Sequence, residues 1–289
     1  MKTLKQFHYF RPQTISKAVF LLSQYKERAK IIAGGTDLLV MMKDGLITPK
    51  YIIDIKSISQ LDFVEYDLAE GLTVGALTRI ATLVKSDIIN NQYTALHEAC
   101  QSLGTIQVRN MATIGGNVCR SSPSADTIPA LLVFDARLNI RAEKERTLSL
   151  EEFFTGPGVN VLNNEIITEI YLPPQQKPYG SAFQKIGRTS EDLAKVNCAV
   201  KVVMIDKHCE DIRIALGSVA PTPIRAKHVE QAIRGEKISD SLIENASAKV
   251  VQDIDPISDS RSNSEYRAHI SKILIKSLIR KSIQRLKGK

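Results

Sequence analysis

Hydrophobic spacing divides the first 56 residues into alternating short strands and helices. Phe7 to Phe10 reads as a strand halted by Pro12, and Thr14 then caps a helix carrying Ile15, Ala18, Val19 and Leu22 on one face. Ala29 to Ala33 is a buried strand, Thr36 to Lys43 a helix stopped near Gly45, and Tyr51 to Ile55 a third strand after Pro49. This β-α-β-α-β order predicts a small parallel or mixed sheet. Strands near Phe63 to Tyr66 and Leu72 to Val74 follow, then helices around Thr78 to Lys85 and Tyr93 to Leu103. Ile128 to Phe134 reads as a further helix, and Arg137 to Ala142, Thr147 to Leu150 and Glu165 to Leu172 as strands. Pro173, Pro174 and Pro178 make a stiff polar break, which places a boundary between a domain of residues 1–175 (subdomains 1–56 and 57–175) and one of residues 176–289. Past the break, strand-like runs at Gly180 to Ile186, Ala199 to Asp206 and Asp211 to Ala220 precede helical stretches at Ala226 to Ile233, Ser239 to Asp253 and Tyr266 to Leu286. Strands first and helices later predict a three-stranded antiparallel sheet covered by helices, and the class is α+β.

Two glycine pairs break this pattern. One lies in Ile31-Ile-Ala-Gly34-Gly35-Thr36-Asp37-Leu38, at a strand-to-helix turn, and the other in Thr113-Ile114-Gly115-Gly116-Asn117. Adjacent glycines admit φ > 0 and let a ligand lie against the main chain, so successive N–H groups converge on an anion. Thr113, Asn117 and Ser121 would add side-chain donors, and the upstream pair aims a helix start at the same charge. Two such loops suit a diphosphate gripped from both sides, although a Gly-Gly pair is also what a tight turn requires. No G-x-G-x-x-G follows a strand, so this is not the Rossmann dinucleotide fingerprint. Asp126 either caps the helix after it or accepts hydrogen bonds from sugar hydroxyls.

Composition, with 43% hydrophobic and 24% charged residues over 289 positions, is ordinary for a globular chain. The net charge of +8 suggests nucleic acid until it is located. Eight basic residues and no acid lie from Tyr266 to Lys289, and without them 31 basic residues face 31 acidic ones. That segment has Ile275, Ile279, Ile283 and Leu286 at helical spacing, which predicts an amphipathic helix with a solvated basic face, free to meet an acidic partner surface. Aromatic residues are absent after Tyr266, so no base-stacking surface, and hence no nucleic acid partner, is expected. The four cysteines form no C-x-x-C pair, the five histidines are scattered, and neither a metal site nor a catalytic constellation is expected. Cys119 reads as a small buried thiol. No apolar run is long enough to span a membrane and the first residues lack a signal-peptide core, so a cytoplasmic location is expected.

Ala33-Gly-Gly-Thr-Asp-Leu38 and Thr113-Ile-Gly-Gly-Asn117, followed by Ser181-Ala-Phe-Gln-Lys-Ile-Gly-Arg188 and Glu191-Asp-Leu-Ala-Lys-Val196, resemble the FAD-binding medium subunit of the molybdenum hydroxylases. That family includes the flavin modules of xanthine, nicotinate and carbon monoxide dehydrogenases. The resemblance implies FAD as cofactor and an FAD-binding domain of the vanillyl-alcohol-oxidase type. It implies partners too: a molybdopterin-binding large subunit that oxidises the substrate, and a small subunit whose 2Fe-2S clusters pass electrons to this FAD, with NAD one acceptor that it admits. By matched position, Ile32, Ala33, Gly34, Gly35, Thr36, Asp37 and Leu38 would surround the phosphates and ring together with Thr113, Ile114, Gly115, Gly116 and Asn117. Asp126 would meet ribityl or ribose hydroxyls, Ile167 would pack near the adenine or ring, and Lys185 would lie close to the flavin. In a strand Lys185 reads equally as a solvated residue. Leu193, aliphatic here, is aromatic in some carbon-monoxide-dehydrogenase-like members. The flavin carries the redox chemistry, which is consistent with the lack of a catalytic constellation. A self-contained FAD-dependent oxidase or reductase is the rival reading, and it would need a substrate pocket of its own.

Overall fold

The computed structural model describes residues 4–287 and the side chains of residues 4–286. Met1–Thr3, Lys289 and the side chain of Lys287, which entered the readings above, lie outside the described residues.

The first layer is β1 (His8–Phe10), α1 (Ile15–Tyr25), β2 (Ala29–Ile32), α2 (Leu38–Asp44) and β3 (Tyr51–Asp54). Its three strands run parallel in the order β1-β3-β2, as alternating strands and helices require. Thr14 caps α1 through its side chain, and Ala18, Val19, Leu21 and Leu22 bury that helix against Ile53. Next come β4 (Val64–Asp67) and β5 (Gly71–Gly75), followed by six helices: α3 (Ile80–Val84), α4 (Asp87–Gln92), α5 (Thr94–Ser102), α6 (Ile106–Met111), α7 (Ile114–Arg120) and α8 (Thr127–Val133). The chain returns to the sheet as β6 (Arg137–Arg141) and β7 (Glu145–Ser149), makes the small hairpin β8 (Phe154–Gly156) and β9 (Val159–Asn160), and closes with β10 (Ile166–Leu172). This second sheet has the order β4-β5-β10-β6-β7 and is antiparallel throughout. The helices α4, α6 and α7 are six or seven residues long, too short for hydrophobic periodicity to reveal.

The C-terminal part holds β11 (Tyr179–Ile186), β12 (Val196–Ile205), β13 (His208–Gly217) and β14 (Ile224–Arg225), then α9 (Lys227–Ile233), α10 (Asp240–Ala248) and α11 (Ser264–Lys287). The sheet order is β11-β12-β13-β14, all antiparallel. The fourth strand goes beyond the three expected, because two residues between Pro223 and a helix leave no alternation to read. Every residue of α8 is buried. It lies in one apolar core with Leu138, Ile167 and Ile170 of the second sheet and Phe183, Ala199 and Ala215 of the third.

Helix α11 buries Ile275 and Ile279 of the predicted face, with Ile283 partly buried and Leu274 and Leu278 buried beside them, but its cations do not simply face solvent. Lys276 pairs with Glu244 and Arg280 with Asp240, both on α10. Lys281 and Arg285 share Glu98 of α5. Arg267 is 2% exposed and bonds Asp259 and the carbonyls of Lys195 and Ser218. All of these acids lie outside the segment, from Asp259 just before it to Glu98 far upstream, so the count of charge within the segment overstated its free cationic face.

Glu98 ties α5 to the last turns of α11. Burial alone would raise its carboxyl, but bonds from Arg285, Lys281 and the Phe183 N–H hold it below its ordinary 4.5. A depressed carboxyl stabilises the fold above the ordinary value and loses that contribution as pH falls through the depressed one. Glu98→Gln is therefore expected to lower stability by about 1–3 kcal/mol at pH 7, a buried-pair loss reduced for partial solvent access. In urea titrations the gap to the unmodified protein should narrow below pH 4.5, and a gap of constant size would show that charge is not the source.

Candidate functional site

The first glycine loop joins β2 to α2. Gly35 has φ +76°, in the left-handed region, and opens the turn into the helix with its carbonyl accepting from Leu39 N–H. Among the described residues, Gly34, Gly35, Thr36 and Asp37 donate no backbone-to-backbone hydrogen bond from their N–H groups. Four successive unpaired amides beside a helix start make a concentration of positive partial charge. Asp37 occupies the position before α2 without capping it, and instead pairs at 3.4 Å with Arg120 from the end of α7.

The second loop is built differently. Gly115 and Gly116 lie inside the first turn of α7, with no positive φ at either. Thr113 caps this helix, accepting from Gly116 N–H at 3.2 Å. The N–H of Ile114 donates to Thr78 O and that of Gly115 to Ala76 O, both at 3.0 Å, and that of Asn117 donates to Thr113 O. The amides expected to converge on an anion from this side are thus satisfied within the chain. What the position demands of Gly115 is space, since a Cβ there would stand 2.7 Å from the Ala76 carbonyl oxygen. Asn117 accepts from Thr127 at 2.5 Å, and Ser121 accepts from Asn160 while its own hydroxyl donates to the Val118 and Cys119 carbonyls, so it is not free as a donor. Cys119 is exposed, not buried, because α7 turns that side of its second turn to solvent.

The loops touch each other. A Cβ on Gly34 would come within 2.1 Å of the Met111 carbonyl oxygen, so glycine is required there for the main chains to meet. Ile32–Leu38 therefore abuts Met111 and Ala112, the residues that lead directly into Thr113–Asn117, some 80 residues away in sequence.

Asp126 precedes α8 but makes no capping bond. Its carboxylate accepts from Lys185 Nζ at 3.0 Å and from Asn197 Nδ2 at 3.0 Å. Burial pushes the Asp126 carboxyl above the usual range, opposed by the Lys185 charge and these two hydrogen bonds. Lys185 is no solvated strand residue: its side chain is 5% exposed and it also donates to the Ser102 carbonyl. Beside it opens a cleft of about 470 Å³ between α5 with the start of α6 and β11 with the 187–191 loop. Glu98, Arg109, Phe183 and Lys185 line it. Arg109 spends one guanidinium nitrogen on the carbonyls of Leu103 and Gly104, fixing the α5-to-α6 turn. Ile167 is 3% exposed and lies inside the apolar core, paired with Ile140 across the sheet. Leu193 is exposed.

The arrangement is thus a contact of two loops with free amides on one side, and a cleft lined in part by Lys185, whose ammonium is held by the buried Asp126. Sequence reading missed Asn197, Arg120, Ala76 and Glu98. Only Asn197 leaves a trace, as a single amide in an apolar strand. Among the described residues, no group of three or more His, Cys, Asp or Glu side chains is placed to hold a metal, and no helix is long and apolar enough to cross a membrane.

Residues 5–175 match the family described as the FAD binding domain in molybdopterin dehydrogenase, and residues 181–282 match the CO dehydrogenase flavoprotein C-terminal domain. The chain is 32% identical to the xanthine dehydrogenase FAD-binding subunit of Escherichia coli O157:H7, with 97% of each chain covered. It is also 32% identical to the glyceraldehyde dehydrogenase medium chain of Sulfolobus acidocaldarius, covering 93% of this chain and 95% of the relative. Among solved structures, the carbon monoxide dehydrogenase from Hydrogenophaga pseudoflava superposes with a TM-score of 0.95 at 30% identity, covering 98% of this chain and 99% of the other.

Because the Met111 carbonyl cannot swing aside as a side chain would, Gly34→Ala should force the loops apart. The expected destabilisation is about 1–3 kcal/mol, the range for overpacking. Gly116→Ala, whose methyl would meet only the Thr113 hydroxyl, should cost less. Thermal denaturation of both variants provides the check, and equal melting temperatures would show that the loops do not bear on each other.

Proposed function

The chain belongs to the FAD-binding, medium-subunit family of the molybdopterin dehydrogenases, and from that premise we propose how it holds its FAD. Ile32–Leu38 and Thr113–Asn117 enclose the cofactor. The amides of Gly34 to Asp37 meet the diphosphate, while the Thr113–Asn117 segment contributes its surface and the Asn117 side chain rather than amides. Asp126 accepts from ribityl or ribose hydroxyls, and Lys185 and the adjoining cleft receive the ring system. Ile167 supports the site from inside the core. The observation that carries this reading is the set of unpaired amides at Gly34 to Asp37, pressed against the second loop by the glycine contact. An anion satisfies such amides without any movement of the backbone.

When bound, FAD supplies reversible uptake of electrons, and the protein supplies binding, orientation and electrostatics. The paired Lys185 and Asp126 present a fixed dipole to the cleft rather than a loose charge. Residues 1–175 form the cofactor-binding domain and 176–289 a second domain that closes the cleft from the β11 side. The relatives are named as subunits or medium chains, which supports a place in an assembly with a molybdopterin-binding large subunit and a 2Fe-2S small subunit. Electrons would arrive from those clusters and leave to an acceptor of which NAD is one candidate.

No histidine or cysteine occupies an evident flavin-linking motif in the sequence, so acid precipitation should release all yellow colour into the supernatant. Gly35→Val places a β-branched side chain at φ +76°, against Ile32 at 3.1 Å from the first added carbon. It should raise the dissociation constant for FAD at least ~10-fold, equivalent to about 1.4 kcal/mol, with the circular dichroism spectrum unchanged. A folded variant of unchanged affinity would remove the Gly34–Asp37 loop from the site.

A further inference from the structure

We propose that Asn197 is a positioning residue for FAD: together with Lys185 it holds the Asp126 carboxylate in one orientation for the cofactor hydroxyls. The inference rests on the reading of Asp126 as a cofactor contact.

Lys185, Asn197 and Gly217 are directly opposite one another on β11, β12 and β13. Side chains at such positions share a face of the sheet, and here that face meets the 123–126 segment. Each oxygen of Asp126 receives one donor from this row. Asn197 Nδ2 reaches Oδ1 and Lys185 Nζ reaches Oδ2, each at 3.0 Å. The carboxylate is therefore held at both oxygens, and the remaining lone pairs keep a defined direction for a hydroxyl donor. The diversion is from an available alternative, since Asp126 stands where an aspartate ordinarily caps a helix and makes no such bond.

The amide of Asn197 can adopt only one sense. Its nitrogen also donates to the Ala125 carbonyl at 3.3 Å, so both neighbours on that side are acceptors. Its oxygen is buried and has no hydrogen-bond partner among the described residues. It lies against Gly217, where a Cβ would stand only 2.3 Å from it and 2.8 Å from the Pro123 carbonyl oxygen. A buried amide with an unpaired oxygen is unfavourable on its own, and the geometry retains it where its two donors meet Ala125 and Asp126. The end of β13 is bonded to the same segment, by Ser218 N–H to Pro123 O at 2.7 Å and Ser218 Oγ to Ser124 Oγ at 2.9 Å. The C-terminal sheet thereby sets the orientation of a cofactor-binding group that belongs to the N-terminal part of the chain.

The groups facing Asp126 are Lys185 from β11, Asn197 from β12 and the Cys100 thiol from α5, which burial and the nearby Asp126 push up to about 12, so it stays uncharged. Asn197→Asp is isosteric and exchanges the donor for a second carboxylate, and two carboxylates in contact resist being ionised together. With the full chain stripped of FAD and titrated with it by flavin fluorescence, the unmodified protein should give a dissociation constant that is flat from pH 6 to 9. Asn197→Asp should bind progressively more weakly as pH rises, by at least ~10-fold across that range, as the proton shared by the two acids is lost. A packing role alone would leave the isosteric variant parallel to the unmodified protein, and that result would overturn the proposal. Circular dichroism at each pH confirms folding. If Asn197→Asp does not fold at pH 9, Asn197→Ala, which withdraws the donor without adding charge, should weaken FAD at least ~5-fold with no pH dependence, and unchanged affinity there would overturn the proposal equally. Asp126→Asn separates the two readings. If it binds FAD as the unmodified protein does, the Asp126 contact itself is wrong. If it binds weakly while Asn197→Asp stays flat, only the role of Asn197 fails.

Discussion

At Gly34 the main chain passes so close to the Met111 carbonyl that no side chain fits between them, and this contact brings two distant turns together. Packing at van der Waals distance is stiff, because interiors have little free volume into which a backbone can retreat. Everything around the contact serves to keep it. Gly35 supplies the left-handed turn into α2, the Arg120–Asp37 pair joins the far ends of the loops, and the Ala76 and Thr78 carbonyls hold the first turn of α7 in place. The consequence is a division of labour that two similar glycine pairs would not suggest. One loop keeps its amides free, and the other spends its amides on rigidity.

The second constraint is the buried ion pair between Asp126 and Lys185. Removing two charges from water is costly, and a buried pair is often no more stabilising than an apolar substitute. Its value lies in geometry: a carboxylate bound at both oxygens and an ammonium bound to Asp126 and Ser102 cannot exchange partners without leaving a charge unpaired. The pair also bridges the N-terminal and C-terminal parts of the chain, which share an apolar core through α8. A shift between those parts would break the pair, so the geometry of the pair and the packing are coupled.

How much of this the sequence disclosed depends on the range of each interaction. The three parallel strands of the first layer, the long strands β11 to β13 and the helix α11 were legible because their periodicity is local and sustained. The short helices α4, α6 and α7 were not, because one or two turns carry too few apolar positions to separate from a loop. The glycine loops were legible as sites of close approach, but Gly115 looked like a positive-φ residue when it is a space-saving one. Only the neighbour, Ala76, distinguishes those cases. Asp126 illustrates the same limit: its local context favours a helix cap, and strands some 60 to 70 residues later draw it away. Charge was misread for α11 for the same reason, since the acids that pair its cations come from α5, α10 and the segment before it.

These corrections converge on the cleft beside Lys185. Three of its four charged lining groups are already committed: Lys185 to Asp126, Glu98 to Lys281 and Arg285, and Arg109 to two carbonyls at the α5-to-α6 turn. A cleft lined by such groups need not rearrange those charges when a ligand enters, which is what electrostatic preorganisation requires. A flavin needs that from its protein, because the ring performs the chemistry and the surroundings determine how easily it is charged. Helix α11, far from the glycine loops in sequence, takes part by holding α5 through Glu98. The C-terminal helix thus fixes the position of one wall of that cleft.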